Sequence, residues 1–187
     1  MEDLHTLASF LRIRNVVEAE ISRIIGRPAH SGHIGEYVVA AIFDIELMAG
    51  ASHKAIDGHF RSGPLAGSSV NIKYGSRRDG LLNLGASLDP GDHPDHYLVL
   101  TGPNIGAITS KGLSAPWVIR QVFLFESGQL LAKLALKAIR PGVATSIRKE
   151  LWTDAMIYPE TTTPGFLSDL QREALYQFWG ADVDSTG

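Results

Sequence analysis

One stretch of the sequence, between Gly32 and Lys73, constrains the fold more than any other. Tyr37–Phe43 is an unbroken apolar run, and a helix that is apolar on all sides is normally buried. Glu36 stands at the N-terminal edge of this run. A carboxylate in that place needs a polar partner, a cation or water. The sequence therefore predicts a core helix whose beginning lies beside a polar group.

Two segments after this helix are predicted to form a β-hairpin. Residues 55–60 and 69–75 are its expected strands, since each is a short run of apolar residues interrupted by polar ones. The Gly63–Gly67 segment between them contains the Gly and Pro residues that a turn requires. The hairpin is thus expected to return on itself about ten residues after it begins.

Polar side chains on this hairpin are candidates for a functional site. Asp57 lies on the first strand, and Asn71 and Lys73 lie on the second. Side chains two residues apart on a strand share a face, so Asn71 and Lys73 are expected to point the same way. If the hairpin faces the start of the preceding helix, Glu36 and Asp57 converge beside Lys73.

This order of residues resembles the PD-(D/E)XK nuclease superfamily, whose fold many restriction endonucleases and DNA-repair nucleases share. The likeness covers residues 31–75, with a looser fit out to about residue 126. It implies that Glu36 and Asp57 hold Mg²⁺ (or Mn²⁺) and that Lys73 assists the attacking water. With two carboxylates, the main-chain carbonyl of Ile72 is expected to be a further metal ligand.

The sequence departs from the family's pattern at Asn71, where an acidic residue is usual. An amide oxygen can contact a hard cation, but it brings no negative charge. We therefore expect modest metal affinity and a preference for Mn²⁺, with Asn71 as the fourth member of the catalytic set. The Gly-Glu, Ile-Asp-Gly and Val-Asn-x-Lys blocks also resemble bacterial domains of unknown function, a likeness that implies no activity.

Three arginines are candidates for binding nucleic acid. Arg61, Arg77 and Arg78 are expected near the predicted site, where they could contact phosphates bidentately. The formal net charge of −3 is unusual for a dedicated DNA-binding domain, which is normally basic. The resemblance still favours nucleic acid, and DNA in particular, as the partner.

Composition excludes several other classes of protein. The 187 residues suffice for one domain with a full core. The sequence contains no cysteine, which excludes disulfides, zinc–thiolate sites and cysteine nucleophiles. No Gly-x-Ser-x-Gly motif indicates a serine hydrolase. No signal peptide or membrane span is apparent, so a cytoplasmic location is expected.

The expected architecture is one nuclease-like α/β domain over residues 1–187, with a central mixed β-sheet flanked by helices, as in restriction endonucleases. Further strands are expected at 97–100 and 117–125. An N-terminal helical extension occupies 1–28, and a docking helix lies within 166–180. The N-terminal helix packs either on its own domain or on a second copy, which leaves a homodimer open.

Serine residues precede three of the expected helices, and serine is a common N-cap. Ser31 is the expected cap of the core helix, Ser127 that of a helix at 128–140, and Ser168 that of the C-terminal helix at 168–179.

Three interpretations of the whole sequence remain open. The first is a metal-dependent endonuclease with a restriction or defence role. The second is a catalytically degenerate member of the same fold that binds nucleic acid or protein. The third is an unrelated α/β protein in which Asp57 and Lys73 form a structural ion pair. The first two predict that Glu36, Asp57 and Lys73 converge in a cleft, and the third does not.

Overall fold

In the part of the chain that the structure describes, two α-helices come first, six strands follow, and α-helices and strands alternate only in the C-terminal third. The structure, a computed structural model, describes residues 2–48, 55–75, 80–85, 87, 89–102, 116–160 and 166–179. Within these ranges the helices are α1 (Glu2–Ile25), α2 (Ser31–Phe43), α3 (Ser127–Ala135), α4 (Lys149–Ala155) and α5 (Asp169–Tyr176). The strands are β1 (Ile45–Leu47), β2 (Gly58–Phe60), β3 (Ser69–Gly75), β4 (Leu81–Leu82), β5 (His96–Thr101), β6 (Gln121–Glu126), β7 (Thr145–Ser146) and β8 (Met156–Tyr158).

Six strands form a mixed sheet in the order β1-β2-β3-β5-β6-β8. Strands β3 and β5 are parallel, and every other neighbouring pair in this sheet is antiparallel. Strands β4 and β7 form a small second sheet. The predicted α/β class, with a mixed sheet flanked by helices, is confirmed. The β2–β3 hairpin is confirmed too, but its first strand begins at Gly58 and not at residue 55, so Asp57 precedes the strand.

Both faces of the large sheet are covered by apolar side chains. Helix α2 packs on β3, and one cluster on that face includes Val39, Val70 and Leu98. The second cluster joins Tyr97 and Phe123 of the opposite face to residues of α3 and α4. The large sheet is therefore buried on both faces.

Helix α2 approaches β3 closely because one of its residues is a glycine. A Cβ atom on Gly35 would lie 3.1 Å from the Cβ of Tyr74, which is closer than most real Cβ contacts. The absence of a side chain at Gly35 lets α2 lie directly on the strand. The next residue, Glu36, is thereby held beside the centre of the sheet.

Two of the three predicted helix caps are wrong. Helix α2 begins at Ser31 itself, so His30 occupies the N-cap position. Helix α3 is capped by Glu126, whose side chain accepts hydrogen bonds from the N–H groups of Gly128 and Gln129 at 2.9 and 2.7 Å. A carboxylate also suits the positive end of a helix. The Ser168 cap of α5 is confirmed.

Helix α1 lies largely outside the core. Its 24 residues are exposed or half-exposed wherever their side chains are described, and its principal contact is with α2. Nowhere in the described ranges is a helix both long enough and apolar enough to cross a lipid bilayer.

Candidate active site

Asp57 lies one residue before β2, in the plane of the sheet. Its N–H donates to the Val70 carbonyl at 2.9 Å, which extends the β2–β3 ladder by one bond. The next main-chain N–H of β3 on this side belongs to Ile72, and it donates to a side chain instead of a main-chain carbonyl. Its acceptor is Asp57 Oδ2, at 2.6 Å. The Asp57 carboxylate therefore occupies the place of the next strand residue and is fixed against β3.

Glu36 lies near the start of α2, on the face of the sheet that this helix covers. Its carboxylate forms an ion pair with Arg27, which precedes α2 in the chain. The Glu36 side chain is 18% exposed and the Arg27 side chain is 45% exposed. The sequence did not indicate Arg27 as a partner of Glu36. The two residues are nine positions apart and separated by a turn, so no helix or strand periodicity relates them.

Lys73 approaches from the opposite face. Lys73 is paired in register with Val99, and Asn71 with Tyr97, and both partners belong to the core beneath α3 and α4. The Lys73 ammonium lies 6.0 Å from the centre of the Tyr97 ring. The prediction that Asn71 and Lys73 share a face is confirmed.

The three predicted charges interact with one another. Burial raises the pKa of the Asp57 carboxyl; the hydrogen bond from Ile72 opposes this rise. The Glu36 carboxylate raises the same pKa further, whereas Lys73 and Arg27 lower it. Burial lowers the pKa of Lys73, and the charges of Asp57 and Glu36 partly restore it. A carboxylate from the helix, one in the sheet plane and an ammonium are thus close enough for their charges to act on the pKa values of Asp57 and Lys73.

Among the ion pairs of the described residues, none joins Asp57 directly to Lys73. The arrangement of three interacting charges therefore agrees less well with a simple structural pair than with a shared site. We call Glu36, Asp57, Asn71 and Lys73 the candidate site.

Asn71 is the least satisfied member of the candidate site. The residue is 7% exposed, and its Oδ1 atom has no hydrogen-bond partner within the part of the chain that the structure describes. A buried oxygen without a partner is destabilising by about 1–3 kcal/mol. Asn71 Oδ1 is therefore suited to accept a hydrogen bond or to contact a cation.

Of the three predicted arginines, the structure describes Arg61, and this residue does not lie beside the candidate site. Arg61 follows β2 at the end far from Asp57, about 13 Å away for an extended chain. Its guanidinium binds the Asp44 carboxylate, with Nε at 2.8 Å from Oδ1. Arg77 and Arg78 lie outside the described residues. Their predicted role in binding nucleic acid stays a prediction.

The donor set is compatible with a weak Mg²⁺ or Mn²⁺ site. It consists of oxygens, namely the carboxylates of Glu36 and Asp57, the amide of Asn71 and the carbonyl of Ile72. The Ile72 carbonyl lies on the same side of β3 as the N–H that Asp57 accepts, because both groups of one strand residue point the same way. No group of three or more His, Cys, Asp or Glu side chains in the described ranges could hold a metal ion. Two carboxylates can nevertheless suffice for Mg²⁺, because this ion retains several of its bound waters.

The sequence matches no protein-family model and no curated protein. The geometry and charges of the candidate site are therefore what indicates a function.

Proposed function

We propose that this protein is a metal-dependent nuclease that hydrolyses phosphodiester bonds, with DNA as its favoured substrate. The supporting observation is the convergence of Glu36, Asp57 and Lys73 where β2 begins beside β3. The finer assignment to a restriction-endonuclease-like fold, in a cytoplasmic protein, belongs to the same proposal. Its support is the order of a helix carrying Glu36 and a hairpin carrying Asp57 and Lys73.

Phosphodiester hydrolysis forms a bond from a water oxygen to phosphorus and breaks the bond to one ester oxygen. The attacking water loses a proton, and the leaving oxygen gains one from solvent. Burial lowers the pKa of Lys73, so its amine is neutral more often than that of an exposed lysine. A neutral Nζ can accept the proton of the attacking water and hold that water in place.

Glu36 and Asp57, with the Ile72 carbonyl, are the residues that would hold the metal ion. When bound, a divalent ion neutralises charge on the phosphate and makes a water more acidic. Asp57 needs no rearrangement for this role, because the Ile72 N–H already fixes one of its oxygens. Glu36 is paired with Arg27, whose half-exposed guanidinium can turn toward a phosphate when Glu36 binds a cation.

A second candidate function is a catalytically degenerate module of the same fold that binds nucleic acid or protein without metal. Two observations favour it. Arg27 already neutralises Glu36, and Asn71 contributes no charge. In this case Arg27 is the permanent partner of Glu36 and takes the place of a metal ion.

Calorimetric titration of Mn²⁺ tests the first proposal independently of any substrate. The variants are Asp57→Asn and, as a matched control, Asp95→Asn, because each keeps an oxygen that can accept its main-chain N–H and loses only the charge. We expect saturable binding in the wild type and in Asp95→Asn, and its loss in Asp57→Asn. Absence of binding at millimolar Mn²⁺, or equal binding by all three proteins, contradicts a metal site at Asp57.

Substrate assays then separate the two functions. Supercoiled plasmid, single-stranded DNA and RNA are incubated with each protein and Mn²⁺, and binding is measured in parallel with a chelator present. Cleavage by the wild type that Asp57→Asn lacks supports the nuclease. If the wild type and Asp57→Asn bind nucleic acid equally well in the presence of the chelator and neither cleaves it, the result supports the degenerate module.

A further inference from the structure

Helix α1 exposes an unusual amount of apolar surface. Eight of its large apolar side chains are between 44% and 64% exposed, namely Leu4, Leu7, Phe10, Leu11, Ile13, Val16, Val17 and Ile24. Soluble monomers rarely leave so many neighbouring apolar side chains in water. A partner surface is therefore expected to cover this helix.

Four of these eight residues, Leu7, Phe10, Val17 and Ile24, belong with the half-buried Ile21 to one regularly spaced series, and this spacing indicates what kind of surface covers the helix. Positions 7, 10, 14, 17, 21 and 24 are separated alternately by three and four residues, and all but Arg14 are apolar. This is the a/d pattern of a two-stranded coiled coil. We define these six positions as the α1 seam.

We propose that two copies of this chain associate through their α1 helices in antiparallel orientation. In this register Leu7 lies against Ile24 of the second copy, and Phe10 against Ile21 of the second copy. Arg14 lies against Val17 of the second copy. Every apolar residue of the seam then has an apolar or aliphatic neighbour across the interface. The inference does not depend on the proposed function.

The charges on α1 favour the antiparallel orientation. In a parallel pair Arg14 would face Arg14 of the second copy at the centre of the seam, and like charges there are unfavourable. In the antiparallel pair Arg14 lies next to Glu18 of the second copy. Arg14 and Glu18 already bond to each other at 2.7 Å on the exposed surface of one helix, so both reach the same region.

The connection of α1 to its domain favours the same orientation. The 24-residue helix is about 36 Å long. It is joined to the domain at its C-terminal end, and it contacts α2. Antiparallel pairing puts the two domains at opposite ends of the helix pair. Parallel pairing would require both domains to occupy the same end.

Analytical ultracentrifugation of the full chain tests the association. We expect the mass to rise to about twice that of the monomer as concentration increases, and Val17→Glu to return it to the monomer. Val16→Glu is the matched control, because Val16 is at least as exposed as Val17 but lies off the seam. Circular dichroism checks that both variants remain folded. A monomer at all concentrations, or equal disruption by Val16→Glu, overturns the proposal.

Disulfide trapping tests the orientation, since the chain has no cysteine of its own. Leu7→Cys and Ile24→Cys variants are prepared separately, mixed and oxidised, and the cross-linked peptides are identified by mass spectrometry. Antiparallel pairing predicts a disulfide that joins the two different variants in the mixture, and little homodimer from either variant alone. Efficient cross-linking of Ile24→Cys with itself indicates a parallel pair and overturns the proposed orientation.

Discussion

Asp57 and Asp95 perform the same structural task on the two sides of β3. Each lies one residue before a strand, and each carboxylate accepts a main-chain N–H from β3. Asp57 accepts from Ile72 at 2.6 Å. Asp95 accepts from the N–H and the hydroxyl of Ser69, both at 2.7 Å.

Their electrostatic properties are nevertheless opposite. The hydrogen bonds from Ser69 lower the pKa of Asp95, which remains close to solvent. Burial raises the pKa of Asp57 in spite of its hydrogen bond, and the neighbouring Glu36 raises it further. A main-chain hydrogen bond therefore does not itself distinguish a structural carboxylate from a reactive one. Burial and neighbouring charges make that distinction.

The largest expected effect concerns cleavage. If only Asp57 belongs to the reaction, Asp57→Asn should reduce the cleavage rate by roughly 10²–10³-fold, as the loss of one electrostatic group in a catalytic site does. Asp95→Asn should change it less than about threefold. Single-turnover cleavage measures both. Similar losses in the two variants would mean that the two aspartates do not differ in function.

Lys73 is a second charged neighbour that acts on Asp57 and not on Asp95. Lys73→Arg keeps the positive charge but removes the base, so the cleavage rate should fall roughly 10²-fold. In the wild type the rate should rise with pH and level off below the usual lysine pKa, because burial lowers the pKa of Lys73. The exposed Lys133 provides a control as Lys133→Arg. A fully active Lys73→Arg enzyme would show that the charge of Lys73, not its basicity, matters.

A smaller effect is expected when charge is added on the Asp57 side of β3. Asn71→Asp should increase Mn²⁺ affinity about tenfold, because a third carboxylate joins Asp57 and Glu36. Asn83→Asp adds the same charge at an exposed position and should leave the affinity unchanged. Calorimetry compares the two variants. Equal affinities would place Asn71 outside the metal site.

The smallest effect concerns stability, and its sign differs between the two aspartates. Because the pKa of Asp95 is lowered on folding, its ionised form stabilises the fold at pH values above the pKa of the unfolded state. This stabilisation is lost as the pH falls through the pKa of the folded state. A raised pKa means that folding disfavours ionised Asp57 relative to the unfolded chain, so stability is lost as the pH rises through its folded-state pKa.

At neutral pH, Asp57→Asn should therefore be more stable than the wild type by about 1 kcal/mol, and Asp95→Asn less stable by at most about 1 kcal/mol. Both differences should shrink in acid. Urea unfolding at pH 7 and at pH 4 measures them. A loss of stability in Asp57→Asn at pH 7 would indicate that its charge is well solvated or fully paired.

Local sequence signals predicted the parts of the fold that local interactions determine. The β2–β3 hairpin follows from its apolar runs and its Gly-Pro turn, and Ser168 caps α5 in a capping box with Gln171. The three-residue strands β1 and β8 were not predicted, because so short a strand is defined by its partner rather than by its own pattern. The Glu126 cap was missed because that residue also ends β6.

Some features of the candidate site could likewise be predicted from local sequence, and others could not. The shared face of Asn71 and Lys73 follows from strand periodicity alone. The pairing of Arg27 with Glu36 and the bond from Ile72 to Asp57 depend on how separate segments meet in space. Such contacts leave no periodic trace in a single sequence, so their partners could not be named beforehand.

The contact between Gly35 and Tyr74 has a mechanical consequence. The space at Gly35 is narrower than one methyl group comfortably fills, so even alanine would act as a wedge and lift the start of α2 by a few tenths of an ångström. Glu36 is the adjacent residue and would move with it, away from the plane that holds Asp57. The position of the Glu36 carboxylate relative to Asp57 is thus sensitive to substitution at a neighbouring residue that has no functional group of its own.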